Sequence, residues 1–478
     1  MREQIKKQIL HNLLTEVTKR YDHVMAENTR IFEKISYEAT HDELTGLYNR
    51  AHFLKELKTI FYQTQKHGSI SAILFIDLDN FKVINDTIGH QFGDILLKQI
   101  ARKMRESVTD EHMLARFGGD EFVLLLKHIG TDKDEAAGQI EAIAQKLLDT
   151  INYTYSIHQK IYQVTASIGI TLFGDDAIDD VNDILRHADS AMYEAKRQGK
   201  ACYVFFTPAI ESRLQQKLHM ETALRQSIKE EDFFFVFQSQ IDASGKISGA
   251  EALIRWRHPE RGVVTPQEFI PLAEETGLII PIGEWVLERA CTILSRWQED
   301  PVFAPLKLSI NCSAIEFMQE DYAQKVIDMV QAHGIDPGRL TIEITESLLM
   351  TENETLLKTM NRLNDFGITL AIDDFGTGYS SLAYIKKFPI GILKIDQSFL
   401  NDIVDQPSDQ ALVKAIISVA KDFGMSIIAE GIETREQMVI LHTLGDDITS
   451  QGYFYGEPTS QEVFEEDLRK RISSSQQR

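Results

Sequence analysis

Short apolar runs that each end in an acid, an amide or a lysine recur through the second half of this 478-residue chain. Leu306–Ile310 stops at Asn311, Leu340–Ile342 at Glu343, and Ile368–Ile372 at Asp373 and Asp374. Ile392–Leu393 stops at Lys394, and Ser426–Ala429 at Glu430. The steps from Asn311 onward are 32, 30, 21 and 36 residues, each with room for a strand, a loop and a helix. Functional groups at the C-terminal ends of successive strands are what a (β/α) barrel produces, because its active site opens on that face. A doubly wound sheet is the competing layout. Counting Glu251 of Glu251-Ala252-Leu253, six acid or amide groups would meet at one rim, which favours a closed (β/α)8 TIM-type barrel. One strand-end acid reads as a cap or a salt-bridge partner. Six on one rim are not explained that way: the five carboxylates among them repel and raise one another's pKa, so they call for metal ions.

Residues 41–206 have another rhythm. A strand over Ile73–Ile76 runs into Asp77-Leu78-Asp79-Asn80-Phe81-Lys82. His90–Met104 reads as a helix. Leu114–Phe117 and Phe122–Leu126 read as a hairpin joined at Gly118-Gly119. Val164–Leu172 alternates like a strand, Asp183–Gln198 is helical up to Gly199, and Tyr203–Phe206 is a last strand. A Gly-Gly-Asp-Glu turn alone is usually only a turn. If the two strands are neighbours, however, Asp77 and Asp120 converge. Two carboxylates with a nucleoside triphosphate make a Mg²⁺ site for phosphoryl or nucleotidyl transfer. Lys82 could then neutralise phosphate charge.

The first 40 residues lack glycine and proline and read as one long helix. Leu10, Leu14, Val17, Tyr21, Val24, Asn28, Ile31 and Ile35 keep a 4-3-4-3 spacing, a heptad seam with Asn28 at an a position. Such an asparagine fixes register and favours a parallel dimer. The plainer alternative is an amphipathic helix packed on its own domain. The expected division is a signalling and dimerisation helix (1–40), a domain over 41–206, a linker at 207–225, a barrel over 226–470 and a polar tail at 471–478.

A net charge of −22 argues against a nucleic-acid polymer or an anionic membrane as partner. Cys202, Cys291 and Cys312 fit no metal spacing and read as reduced thiols. With no 18-residue apolar stretch, the chain is expected to be soluble and cytoplasmic, without membrane insertion.

Four segments of the first half form a specific set: Asp42-Glu43-Leu44-Thr45-Gly46-Leu47-Tyr48-Asn49-Arg50, Asn85-Asp86-Thr87-Ile88-Gly89-His90, Gly93-Asp94 and Gly118-Gly119-Asp120-Glu121-Phe122. Together they resemble the GGDEF domains, which make cyclic di-GMP. The resemblance covers residues 40–206 and implies an α+β palm-like fold. Asp77 and Asp120 would hold Mg²⁺, with the Leu78 carbonyl as a further ligand, and Glu121 would assist there or at the attacking hydroxyl. GTP would be held by Lys82, Asn85, Asp94, Gly118, Gly119, Lys196 and Lys200, with Asn85 and Asp94 reading the guanine edge. The implied reaction joins two GTP molecules across a homodimer and releases pyrophosphate. Two departures stand out. Lys200 replaces a frequent arginine and loses its bidentate fork. Thr109-Asp110-Glu111-His112 stands where the family's Arg-x-x-Asp product-inhibition motif would be, so no feedback binding is expected there.

The second half carries Glu251-Ala252-Leu253-Ile254-Arg255, Ser309-Ile310-Asn311, Glu343-Ile344-Thr345-Glu346, the Asp373–Leu382 segment, Leu393-Lys394-Ile395-Asp396, Ala429-Glu430-Gly431-Ile432-Glu433 and Gln451-Gly452-Tyr453. With these motifs it resembles the EAL phosphodiesterases over residues 226–470. The resemblance implies two Mg²⁺ or Mn²⁺ ions on Glu251, Asn311, Glu343, Asp373, Asp374 and Glu430. Lys394 and Asp396 would hold and activate water. Gln238, Leu253, Arg255 and Gln451 would contact cyclic di-GMP, while Glu346 and Glu433 support the site. Hydrolysis would give linear pGpG, in a homodimer joined through the helix and the barrel. Here Phe237-Gln238-Ser239 replaces Tyr-Gln-Pro, and one extra residue precedes Gln451 near Asp446-Asp447. Three readings compete: a bifunctional enzyme, a phosphodiesterase with a GTP-binding regulatory domain, and a non-catalytic cyclic di-GMP receptor. The chemistry implies a bacterium.

Overall fold

The computed structural model describes residues 2–157, 160–174, 180–350, 354–376 and 387–475. Contacts divide the chain into two units, residues 1–216 and 217–478.

The first unit begins with a helix, Arg2–Glu38. Along it Val17, Tyr21, Val24, Ile31 and Ile35 are each about half exposed or more, so this seam is not packed on the unit's own core. Leu10 and Leu14 lie outside the described side chains. The core is a six-stranded sheet. Its order is Tyr48–Asn49, Met113–Gly118, Glu121–Gly130, Ile70–Leu78, Ala166–Phe173, Tyr203–Phe205. The expected strands are all present, most of them longer than their apolar runs. Ile70–Leu78 is buried along its whole length, as its near-continuous apolar run requires of a strand covered on both faces. Leu96, Ile100, Ile140 and Leu147 cover one side with Leu74 and Leu124. Phe53, Leu57, Ile184 and Ala188 cover the other with Ile73 and Val123. On both flanks the central strand is antiparallel to its neighbours, which places Asp77 opposite Glu121.

The stretch expected as a linker is helical: Pro208–Glu230 is one helix, and Leu224 is buried in the second unit's core.

In the second unit, eight strands close a barrel: Phe233–Ile241, Ile247–His258, Lys307–Asn311, Leu340–Thr345, Thr369–Phe375, Ile392–Ile395, Ser426–Ala429 and Ile448–Ser450. Ile247–His258 and the strands after it pair in parallel around the ring. Phe233–Ile241 runs antiparallel to both of its ring neighbours. The cause is local. Residues 242–246 are too few for a crossover helix, and a connection that short makes a hairpin. Asp242 Oδ1 closes it by accepting from the Ser244 and Lys246 N–H groups. Glu251-Ala252-Leu253, helix-like as a tripeptide, is mid-strand. Register sets Asn311 beside Glu343 and Thr345 beside Asp373, which steps the rim residues around one mouth. Part of the Asp373–Leu382 motif, residues 377–382, lies outside the described residues.

A Cβ at Gly169 would lie 2.0 Å from the Ala188 carbonyl oxygen and 2.1 Å from the Met192 nitrogen, where the helix Val181–Arg197 crosses the sheet. Gly169→Ala should therefore destabilise the first unit by about 3 kcal/mol, the upper end of ordinary overpacking. An unchanged urea midpoint would show that the helix does not need this approach.

Candidate functional sites

At the centre of the barrel mouth stands a lysine. The Lys394 side chain is 1 % exposed. Its Nζ lies 2.5 Å from Glu343 Oε2, 2.7 Å from Glu430 Oε1, 3.1 Å from Asp373 Oδ1 and 3.4 Å from Glu251 Oε2. Burial works against its charge, but the carboxylates outweigh it and push the Lys394 pKa well up, so the group is an ammonium. Burial, with the charges of Asp373 and Glu251, raises Glu430 to about 8. Burial and Glu251 drive Glu343 well above the carboxylate range. Asp374 is raised by burial and by Asp373. Glu251 goes the other way: Lys394, Gln451 and Asn311 outweigh its burial and hold it down. Asn311 Nδ2 donates to Glu251 Oε1 at 2.6 Å, and Gln451 Nε2 donates to Oε2 at 2.6 Å.

One ammonium faces five carboxylates in this ring. Glu343 Oε1 is buried without a hydrogen-bond partner. Oxygens of Asp373, Asp374 and Glu430 lie within 4.8 Å of one another. Asp374 also holds a left-handed backbone (φ +54°), a strain on the order of 1–3 kcal/mol that surrounding contacts must sustain. Hard oxygen donors, excess negative charge and an orphaned acceptor fit divalent cations.

The ring opens into a cavity of about 570 Å³ that Gln238, Leu253, Arg255, Asp396, Glu433 and Gln451 also line. The expected substrate contacts thus share one cavity with the ring. Asp396 caps the turn Gln397–Phe399, accepting from the Ser398 N–H at 3.0 Å. Glu346 Oε2 accepts from the Gly376 N–H at 2.7 Å and so anchors the end of the strand Thr369–Phe375.

In the first unit, Asp77 Oδ1 pairs with Lys196 Nζ at 2.8 Å, and the Leu78 N–H donates to the Asp120 carbonyl at 3.3 Å. Burial raises Asp77, and burial with the Asp77 charge raises Glu121. Asp77, Asp120 and Glu121 therefore share one corner, with Gly118 and Gly119 in the turn beside it. Lys196 sits on a carboxylate here, and Lys200 Nζ donates to Asn80 Oδ1 at 2.8 Å. Lys82 and Asp94 are exposed. Asn85 lies over Gly93, where a Cβ would meet Asn85 Oδ1 at 1.8 Å, and that oxygen is buried without a partner.

Several residues escaped the sequence reading. Arg116 donates to both oxygens of Asp42 (3.1 and 3.2 Å) and to the Gly119 carbonyl (2.8 Å), so the opening Asp42 signature clamps the hairpin turn. Asp79 accepts from Thr165, Ser167 and the Ala201 N–H, tying three segments together beneath the corner. Burial raises Asp189, whose charge acts on Glu121. Their only sequence signal was type and proximity to a motif.

The "Diguanylate cyclase, GGDEF domain" family model matches residues 39–202, and the "EAL domain" model matches residues 221–458. The chain belongs to the tandem GGDEF–EAL family. It is 38 % identical over 421 residues to the bifunctional diguanylate cyclase/cyclic di-GMP phosphodiesterase MucR of Pseudomonas aeruginosa, covering 88 % of this chain and 60 % of MucR. It is 32 % identical over 443 residues to the cyclic di-GMP phosphodiesterase PdeR of Escherichia coli, covering 92 % of this chain and 65 % of PdeR. The GGDEF–EAL chain thus spans less than two thirds of either relative. Among solved structures it resembles the EAL enzyme Bd1971 in its cAMP- and cyclic-di-GMP-bound form. That match has a TM-score of 0.52 and 27 % identity, and it covers 65 % of this chain and 82 % of that one. EAL and GGDEF domains depend on divalent metal. Among the described residues, no helix is long and apolar enough to cross a membrane.

Removing one partner from a buried ion cluster costs about 3–5 kcal/mol, because it leaves uncompensated charge. In EDTA, Lys394→Met should lose stability of that order, and Mn²⁺ should restore most of it. Equal thermal melts of the variant and the wild type in EDTA would contradict this.

Proposed function

We propose that the EAL barrel hydrolyses cyclic di-GMP to pGpG and that the GGDEF domain joins two GTP molecules into cyclic di-GMP. The observation that carries the first half is the Lys394-centred carboxylate ring at the foot of a cavity lined by Gln238, Leu253, Arg255 and Gln451. Glu251, Asn311, Glu343, Asp373, Asp374 and Glu430 would hold two ions, Mg²⁺ or Mn²⁺. Such ions supply a deprotonated water and neutralise the phosphodiester. Arg255 and the amides of Gln238 and Gln451 orient the dinucleotide in the cavity. Lys394 donates from Nζ, so it positions the attacking water. As the negative charge around it is compensated, its pKa falls toward the range in which the amine takes a proton. Asp396, which lines the same cavity, would help order that water. The water oxygen would bond to phosphorus as one P–O3′ bond breaks, and the leaving 3′-oxygen takes up a proton, so that the ring opens to pGpG.

In the GGDEF domain, Asp77, Asp120 and the Leu78 carbonyl would hold Mg²⁺ with GTP, and Glu121 assists the attacking 3′-hydroxyl. Asn85 and Asp94 read guanine, while Lys82, Lys196 and Lys200 compensate phosphate charge. Lys196 must leave Asp77 to do so. Each domain supplies half of the reaction, so synthesis needs two copies, joined through the exposed seam of the N-terminal helix. GTP as substrate places the chemistry in the cytoplasm. A second reading, a phosphodiesterase whose GGDEF domain only binds GTP, draws on PdeR, a relative named for the phosphodiesterase alone.

Separating nucleotides after incubation with Mg²⁺ tests both halves. Glu251→Ala should cut cyclic di-GMP hydrolysis by about 100-fold or more, the scale of a damaged metal site, and should accumulate cyclic di-GMP from GTP. Asp120→Ala should abolish synthesis and spare hydrolysis. No product from GTP in the Glu251→Ala protein would leave the second reading. Intact cyclic di-GMP after long incubation with wild type would overturn the phosphodiesterase. Val24→Lys, a charge in the seam, should shift sedimentation to monomer and lower synthesis at least tenfold. Undiminished synthesis by a monomer would remove the need for two copies.

A further inference from the structure

A buried amide relay runs behind the ring. Gln238 and Gln240 alternate onto one face of the strand Phe233–Ile241, the strand that runs against its neighbours. Register sets Gln238 opposite Glu251 and Gln240 opposite Gly249. Gln240 is 5 % exposed and Gln451 2 %. Gln240 Nε2 donates to Gln451 Oε1 at 3.2 Å and approaches Ser309 Oγ at 3.5 Å. Gln451 Nε2 donates in turn to Glu251 Oε2 at 2.6 Å and to Gln238 Oε1 at 3.0 Å.

The Glu251 carboxylate, which only accepts, sets the direction of this relay, and Gln240 completes it by donating to the oxygen that Gln451 turns away from Glu251. A glutamine amide presents an oxygen on one side and two N–H donors on the other, and its orientation follows from its partners. Turned over, Gln451 would aim its oxygen at the Glu251 carboxylate and its nitrogen at the Gln240 nitrogen. Both contacts are repulsive. Gly249 keeps the space that Gln240 needs, since a Cβ there would lie 3.0 Å from Gln240 Oε1. We propose that Gln240 is a positioning residue for the metal centre: it holds the Gln451 amide so that its N–H groups face Glu251, fixing that carboxylate for cation binding. The inference rests on the phosphodiesterase reading only in taking Glu251 as a ligand. Gln240 does not line the cavity, so it acts through Gln451.

The test is Mn²⁺ affinity measured by electron paramagnetic resonance without nucleotide, alongside kcat and KM for cyclic di-GMP. Gln240→Met keeps the length of the side chain but cannot donate, and should weaken Mn²⁺ binding about 10–100-fold, as losses of ligand-orienting partners do. Gln240→Glu can only accept, so it pulls the Gln451 N–H groups away from Glu251 and should weaken binding further. In a Gln451→Ala background, Gln240→Met should cost nothing more, because the relay is already cut. Should buried charge unfold the Gln240→Glu protein, the uncharged Gln240→Met protein and the double variant still decide. Mn²⁺ affinity within twofold of wild type in Gln240→Met, or an undiminished loss in the Gln451→Ala background, overturns the relay. A wild type that binds Mn²⁺ but leaves cyclic di-GMP intact overturns the phosphodiesterase reading instead.

Discussion

A single ammonium among carboxylates organises the barrel. Lys394 is buried where no isolated lysine could stay charged, and Glu251, Glu343, Asp373 and Glu430 could not share that space without it. Each needs the other. Their side chains come from strands far apart in the chain, so the ring exists only when the barrel is closed and its register is right. The cluster is compensated only in part, which leaves Glu343 and Glu430 with raised pKa values and an appetite for further positive charge. The same deficit that makes the ring unstable alone makes it a cation site.

The reversed strand gives the barrel a second kind of layer. A run of parallel strands delivers acids to the rim. Phe233–Ile241, turned by its five-residue hairpin, instead delivers two amides beneath it, opposite Glu251 and Gly249. Amides carry no charge, so they orient the carboxylates without competing with a cation. The GGDEF domain uses a related economy: Arg116 joins Asp42 to the hairpin turn, and Asp79 ties the neighbouring loops, so that Asp77, Asp120 and Glu121 stand on fixed backbone.

Much of this was legible from residue order. Apolar runs ending in polar groups announced the barrel because a parallel strand buried on both faces must be apolar until it reaches the rim. The reversed first strand was not foreseen, because its residues read like any other apolar run and only the short connection marks its direction. Strand ends ran past their apolar runs where ring geometry keeps a polar residue paired, as at Glu343 to Thr345. The linker's charged run after Thr207-Pro208 reads as helical and is a helix; the burial of Leu224 in it was not legible, because the leucines scattered among its charges mark no single face. Gln240 and Arg116 were invisible for a different reason. Their importance lies in which atom they donate to, and hydrogen-bond direction across the fold leaves no pattern in spacing.

Anomalous scattering from Mn²⁺ in crystals of the whole chain addresses the ring most directly. Two manganese peaks are expected among Glu251, Asn311, Glu343, Asp373, Asp374 and Glu430, with Lys394 Nζ drawn back from at least one of the carboxylates it pairs with here. An empty ring with Lys394 unmoved, under conditions where the protein hydrolyses cyclic di-GMP, would contradict the ring as a metal centre.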